Sequence, residues 1–540
     1  MQKNLDYNIS KNIFYNHFVA FGNIYSGILI GISAPGLGTQ WLGIISFIPL
    51  SLNLESYHGK RIFPFWKRAL IFFTTCWLTG IIATSIACYW ITNSIYIFGH
   101  LPWPVAFFIT GVCYGLEVGI QLFIYFGIPL LIIKKLNNWD LPVRFSYILA
   151  LAPWYPKLIQ WNYGGLTFSE FPFIEQLGDL IGSSGLIIFN LGITFLAIGW
   201  LRKFTGMESN KKKLFRATIA YFLFCFLGLI YGSWRLYNLE ENNTDFAEKT
   251  PELDILLVQP NFSLDNLASN PELSFSKRKY NLENLIIDSR KGLKEFTKNN
   301  DSTKLVVWPE SVFPEPFFKN NRSRQKVVDF AKNNKIHVLF TSIDWEDTPN
   351  GEKFYGVSVL LDKKGDIIGR YNKIFLIPFG EMIPFSSWFP KIASWLRRNI
   401  SNMSEFHPGN EFKVFTISGG AKLSAPICFD IFAPVVIRKM VRNGSNLIIN
   451  LSNLAWFGKT NASDNMVAFL RWRAIENRVP VVFASNNGQS VFIGANGENL
   501  TKQLNLFEEG TLFSTLNLRS RFSFYREFAE WLWGAYILIF

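Results

Sequence analysis

The feature that most constrains this chain is the segregation of its apolar residues: seven hydrophobic runs crowd residues 1–234, and the chain is far more polar beyond them until its last residues. The runs cover 18–33, 41–54, 70–89, 105–133, 145–159, 180–201 and 217–231. Most approach the ~20 residues that cross a bilayer, whose core admits only segments that satisfy their own backbone hydrogen bonds. Seven membrane helices are expected, with 41–54 and 145–159 falling short of that length. The expected organisation is a polytopic membrane domain at 1–234, a separate folded domain at 235–525, and a short apolar segment at 526–540, either a last, partial span or one cut short by an early chain end.

Positive charge alternates from loop to loop. Lys3 and Lys11 precede the first run; Lys60, Arg61, Lys67 and Arg68 follow the second; Lys134, Lys135 and Arg144 follow the fourth; Arg202, Lys203, Lys211, Lys212, Lys213 and Arg216 follow the sixth. Residues 93–103 and 161–176 carry no lysine or arginine. Because cytoplasmic loops retain positive charge, this pattern places the N-terminus inside and residue 235 onward outside. It also accounts for most of the +13 formal charge, since 16 Lys/Arg face 8 Asp/Glu in residues 1–234. No nucleic-acid partner is implied. Glu117, in the middle of the fourth run, is costly to bury there, and packing or a water-filled cavity accounts for it as well as function does.

From about residue 253 short β-rich runs alternate with charged, helix-like stretches, the pattern of an α/β domain. Strands are expected at 255–259, 304–308, 337–341, 357–361, 413–417, 423–427, 446–451, 481–485 and 490–494. Helices are expected at 276–297, 322–333, 433–442 and 465–477.

Three polar residues close strand-like runs, where α/β folds place their chemistry. Glu310 ends Leu305-Val306-Val307-Trp308-Pro309-Glu310, beside an aromatic whose bulk would desolvate the carboxylate and raise its pKa. Lys373 precedes the apolar run Ile374-Phe375-Leu376-Ile377-Pro378-Phe379. Cys428, in Ala425-Pro426-Ile427-Cys428-Phe429-Asp430, is the sole cysteine after residue 234, at the end of the run 422–427, a placement that suits an exposed nucleophile. Taken singly, each has an ordinary alternative: a turn-capping carboxylate, a salt-bridged lysine, a buried strand-end thiol. Together they supply a base, a cation and a nucleophile, the set that thioester chemistry at a carbonyl requires. Disulfide and zinc roles fail with one cysteine, and neither His337 nor His407 has a comparable setting.

The order Glu, Lys, Cys with these flanks resembles the nitrilase superfamily of carbon–nitrogen hydrolases. With the membrane runs, the chain resembles the bacterial apolipoprotein N-acyltransferase family. The matching segments are Val258-Gln259-Pro260-Asn261, Trp308-Pro309-Glu310-Ser311, Tyr371-Asn372-Lys373 with Pro378-Phe379-Gly380-Glu381, Ser452-Asn453-Leu454-Ala455-Trp456-Phe457-Gly458, Arg473-Ala474-Ile475-Glu476 and Ser485-Asn486-Asn487-Gly488, with Gly182, Gly185 and Asn190 in the sixth run. The resemblance implies a nitrilase-like αββα sandwich on the extracytoplasmic side of a bacterial inner membrane, acting without cofactor or metal and as a monomer. It implies a phospholipid acyl donor, a thioester on Cys428, and a diacylglyceryl-cysteine acceptor on apolipoproteins. Glu310 would be the base, Lys373 and the backbone N–H of Phe429 the oxyanion donors, and Glu381 a second carboxylate orienting Lys373.

The chain departs from the family pattern at Phe429 and Asp430, which replace tyrosine and glutamate, and at Leu454, Met466 and Ala268. Those departures leave two further readings: a membrane amidase or acyltransferase for another amine, and a non-catalytic protein that binds lipids or lipoproteins.

Overall fold

A computed structural model describes residues 17–58, 63–133, 140–151, 163–204, 211–241, 251–262, 271–295, 303–313, 315–319, 321–349, 351–378, 380–383, 386, 388–391, 393–394, 405–519 and 521–539. Ala268, Phe379, Arg61 and the lysines Lys3, Lys11, Lys60, Lys134 and Lys135 lie outside them. The chain forms two compact units, one of Met1–Thr92, Leu101–Asn238 and Phe528–Phe540, the other of Asn93–His100 and Leu239–Glu527.

In the first unit four helices among the described residues are long and apolar enough to cross a membrane: Phe65–Ala87, Trp103–Ile132, Ile187–Phe204 and Lys211–Asn238. The other expected spans are shorter. Residues 18–33 yield the 11-residue helix Gly22–Ile32, about 16 Å long at 1.5 Å per residue. Residues 41–54 divide between a 3-10 turn, Gln40–Ile45, and the helix Ile48–His58, and 145–159 passes out of the described residues after 151. Helices Phe65–Ala87 and Trp103–Ile132 approach so closely that a Cβ on Gly80 would lie 2.3 Å from the Gly115 carbonyl oxygen, which only small residues permit. Two π-turns, Thr110–Tyr114 and Phe123–Gly127, interrupt the longer helix, and Glu117 sits half-buried between them. Asn190 ties its helix to the Gln40–Ile45 turn by donating to the Gly43 carbonyl at 2.8 Å.

Arg144 and Arg202 are not solvated loop charges. Arg144 Nη1 lies 2.5 Å and Arg202 Nη2 2.9 Å from Glu55 Oε1, with all three side chains at most 9% exposed. A carboxylate shared by two guanidiniums satisfies groups that would be expensive to bury alone.

The second unit contains two sheets. The first has strands β1 (Glu252–Gln259), β2 (Thr303–Val307), β3 (His337–Thr348), β4 (Gly351–Leu361), β5 (Ile367–Asn372) and β11 (Gly510–Asn517), in the order β11-β1-β2-β3-β4-β5. The second has β6 (Phe415–Thr416), β7 (Lys422–Ser424), β8 (Leu447–Ser452), β9 (Val481–Ser485) and β10 (Val491–Ile493), in the order β10-β9-β8-β7-β6. In each the central strands are parallel, β1, β2 and β3 in one and β7, β8 and β9 in the other.

Helices α1 (Pro271–Glu295) and α2 (Asn321–Asn334) cover one face of the first sheet. Leu282, Leu285, Val327 and Phe330 interlock there with Leu256, Val306, Val338 and Phe340. The alternate strand residues Ile255, Leu257, Leu305, Val307, Leu339 and Leu360 are also fully buried, on the opposite face, where the second sheet packs. Ser358 on β4 crosses between the sheets to donate to the Ala425 carbonyl at 2.9 Å. Helices α3 (Pro434–Arg442) and α4 (Ala462–Asn477) pack on the second sheet's side, completing a helix–sheet–sheet–helix sandwich. Strands buried on both faces read as continuous apolar runs, which is how β2, β8 and β9 appear in the sequence.

Candidate functional site

Each of the three strand-end residues reaches the site because its strand stops there. Trp308 makes the last ladder bond of β2, donating from its backbone to Leu339 at 2.9 Å, and Pro309 has no N–H to continue it. The chain turns through Ser311 at φ +64, leaving Glu310 at the end of the sheet. The Trp308 ring is not what desolvates this carboxylate. It packs in the outer helix layer, stacked 5.7 Å from Phe330 with its indole N–H on Ser289.

Lys373 follows β5, held by its backbone N–H to Gly356 at 2.9 Å and its carbonyl to Gly409 at 2.7 Å. Its side chain is 1% exposed. The ammonium lies 2.7 Å from Glu381 Oε1 and 3.6 Å from Glu310 Oε1. Glu381 is fixed in turn by the Ile377 N–H, which donates to its other oxygen at 2.9 Å. Glu310 Oε2 accepts the backbone N–H of Asn453 at 2.9 Å, from the end of β8.

Cys428 begins a 3-10 turn, Cys428–Phe432, beyond β7. Its φ is +46, a left-handed conformation that costs a non-glycine residue about 1–3 kcal/mol and aims the side chain off the sheet. Asn450 on β8 holds this corner by donating to the Pro426 and Cys428 carbonyls at 3.3 and 3.2 Å, while Ser452 donates to Asn450 Oδ1 at 2.8 Å. The thiol is not exposed as its sequence position suggested: Cys428 is 2% accessible, because the turn folds over the strand end. After burial, the charge of Glu310 is the strongest influence on the thiol.

Asp430 makes the tightest joint. Its Oδ2 accepts the Tyr371 hydroxyl at 2.7 Å and the Ile427 N–H at 2.9 Å; its Oδ1 accepts the N–H of Phe375 at 2.7 Å and of Ile374 at 3.2 Å. Burial nevertheless pushes Asp430 up to about 6. The Phe429 ring lies 4.8 Å from Phe432 and 6.3 Å from Phe457.

The electrostatics follow from charge counting in a dry site. Burial raises the Glu310 pKa, and the Lys373 charge only partly opposes that. Burial, then the charge of Glu310, pushes the Cys428 thiol well above its ordinary range. Burial works to deprotonate Lys373, but Glu381 and Glu310 outweigh it and keep the ammonium charged. The resting cluster is therefore a neutral thiol beside a carboxylate–ammonium–carboxylate row. A proton moving from sulfur to Glu310 leaves the cluster's net charge unchanged, so a nucleophile can be generated without stabilising a second buried anion.

The structure thus brings Glu310, Lys373, Cys428, Glu381, Phe429 and Asp430 together. Leu454 is buried at the start of a 3-10 turn, Leu454–Phe457, with its side chain against Gly488, and Met466 is buried in α4. Asn453 lies in the family-matching segment 452–458, though its bond to Glu310 is not readable there; for Asn450 a polar residue inside the apolar run Leu447–Ser452 is the one local signal.

Both parts of the chain are similar to known proteins. Residues 26–196 match the apolipoprotein N-acyltransferase N-terminal domain and residues 272–523 match the carbon-nitrogen hydrolase family. An apolipoprotein N-acyltransferase of Geobacter metallireducens is 27% identical over 94% of this chain and 91% of its own length. That of Bdellovibrio bacteriovorus is 25% identical over 96% and 91% respectively. A Saccharomyces cerevisiae member of the nitrilase superfamily, 18% identical, overlays on 51% of this chain and 93% of its own with a TM-score of 0.37. One membrane-domain match, one hydrolase-domain match and relatives aligned almost end to end place the chain in the apolipoprotein N-acyltransferase family of carbon–nitrogen hydrolases.

Proposed function

We propose that this enzyme moves an acyl chain from a phospholipid to the α-amine of the diacylglyceryl-cysteine that begins an apolipoprotein, through a thioester on Cys428. The observation that carries the reading is the Lys373 ammonium, buried and 3.6 Å from Glu310, with both charges bearing on the buried Cys428 thiol.

In the first half-reaction the Cys428 proton passes to Glu310 as sulfur attacks the ester carbonyl carbon. Lys373 and the Phe429 N–H stabilise the negative charge that develops on the carbonyl oxygen, with Glu381 keeping the ammonium in place. Collapse breaks the carbon–oxygen ester bond; the departing glycerol oxygen takes the proton from Glu310 and leaves as lysophospholipid. In the second half the amine attacks the thioester carbonyl and yields a proton to Glu310. The carbon–sulfur bond then breaks, and sulfur recovers that proton as the amide product leaves.

Both substrates are lipid-anchored, which suits a catalytic unit carried by membrane helices. Drawing an acyl chain into water costs ~0.8 kcal/mol per CH₂, and a site at the bilayer surface avoids that. The positive loops favour the periplasmic face of a bacterial inner membrane for the catalytic unit, and a single chain supplies every group the scheme uses.

The test uses a phospholipid with an isotopically labelled acyl chain and a diacylglyceryl-cysteine peptide. The reading expects one labelled chain on the peptide amine, resistant to hydroxylamine. Labelled fatty acid or another acylated amine, with the peptide untouched, would favour a different enzyme on the same scaffold.

A further inference from the structure

Among the described residues one backbone N–H, that of Asn453, donates to the base Glu310, and Asn453 is held by the turn that follows it. The turn Leu454–Phe457 is capped at its start by the Asn453 side chain, whose Oδ1 accepts from the Ala455 N–H at 3.2 Å and from Asn486 Nδ2 at 3.1 Å. At its far end the Phe457 carbonyl accepts from Thr460 Oγ1 at 3.1 Å and from Asn93 Nδ2 at 3.0 Å. Asn93 belongs to the short segment Asn93–His100, which is part of the catalytic unit although it is remote from it in sequence.

The next residue is shaped around that amide. Gly458 has φ +64 and ψ −163, a combination essentially confined to glycine. A Cβ there would lie 2.5 Å from Asn93 Nδ2. Backbone conformation and space thus both serve the approach of Asn93 to the Phe457 carbonyl. Only the four residues Leu454–Phe457 separate the Asn453 end of the turn from the Asn93 end, and the Phe457 ring also lies 6.3 Å from Phe429, the neighbour of Cys428.

We propose that Asn93 is a positioning residue for Glu310, fixing through the Phe457 carbonyl the turn whose first N–H holds the base. This rests on Glu310 being the base, as proposed above. Asn93 acts through the turn, by its bond to the Phe457 carbonyl, and so decides how the carboxylate is held toward the thiol.

The experiment compares full-length wild type, Asn93→Asp and Asn93→Gln in detergent. Asp is isosteric but offers a carboxylate oxygen to the Phe457 carbonyl, whereas Gln keeps a donor. The first readout is the rate at which iodoacetamide alkylates Cys428, followed by mass spectrometry of its peptide from pH 5 to 9, which needs no lipid. The second is thioester formation from phospholipid. Asn93→Asp should slow alkylation at pH 7 at least threefold and move the acidic limb of the profile to higher pH, because a base that loses a donor to its charged form holds its proton more tightly. Asn93→Gln should stay within twofold of wild type. Should Asn93→Asp not fold, Asn93→Ala is held to the same criterion. Wild-type alkylation rates and pH profile in the donor-less variant would overturn the proposal. Altered alkylation in a protein whose wild type forms no thioester would leave the role of Asn93 standing and remove the acyl-transfer reading instead.

Discussion

The Tyr371 phenol donates to Asp430 Oδ2 at 2.7 Å, and through that bond the strand leading to Lys373 is fastened to the turn that carries Cys428. The same carboxylate holds the N–H groups of Ile374, Phe375 and Ile427. A fully buried aspartate thus sets the spacing between the cation and the nucleophile, and the shorter side chain is matched to the short turn in which it sits.

Asp430→Asn should preserve the side-chain outline but turn an NH₂ toward at least one backbone N–H, at a cost of about 1–3 kcal/mol. Asp430→Glu adds a methylene to a packed site and should cost a similar amount. The pH dependence has a definite sign. With Asp430 pushed up to about 6 in the folded protein and titrating near 3.9 when unfolded, the folded state binds more protons between those values. Wild-type melting temperature, relative to Asp430→Asn, should therefore fall as pH rises from about 4 to about 6 and level off above.

Glu310→Gln can still accept the Asn453 N–H, so the fold should persist while Cys428 acylation slows by about 10²–10⁴-fold. Because burial raises the Glu310 pKa, wild-type acylation should decline as pH falls through that raised value. The variant should lose that limb. Single-turnover acylation across pH, with circular dichroism as the fold check, measures both.

The left-handed backbone at Cys428 is strain retained for chemistry. Cys428→Gly and Cys428→Ala should both be inactive, but Gly should be the more stable by about 1 kcal/mol, the reverse of the usual order, since φ +46 costs it nothing. Paired thermal melts in one detergent decide it; an alanine variant as stable as the glycine variant would show that no strain is stored there.

In the membrane unit, Glu55→Gln leaves Arg144 and Arg202 buried without their shared carboxylate. Removing one partner of a buried ion pair costs about 3–5 kcal/mol, so the yield of monodisperse protein and its melting temperature should drop sharply.

What the sequence made legible follows from locality. The central strands announce themselves as apolar runs because they are buried on both faces. The edge strands β5 and β11 were not expected: Ile367–Asn372 contains Gly369 and Arg370, and Gly510–Asn517 mixes polar and apolar residues with no period of two and buries only Leu516. Glu310, Lys373 and Cys428 were visible because each borders an apolar run. The bonds around them were not: Asn453 and Tyr371 stand in family-matching segments, but Asn453 meets Glu310 across 143 positions and Tyr371 meets Asp430 across 59. The same limit hid the pairing of Arg144 and Arg202 with Glu55. It also hid the burial of Cys428, which depends on a turn folding back over its strand.

The central claim is a thioester that the lipoprotein amine discharges, and intact mass measurement reads it directly. Purified protein incubated with phospholipid should gain one acyl mass on Cys428, lose it to hydroxylamine, and lose it stoichiometrically to a diacylglyceryl-cysteine peptide, while Cys428→Ala gains nothing. A peptide acylated equally well by Cys428→Ala would contradict the account.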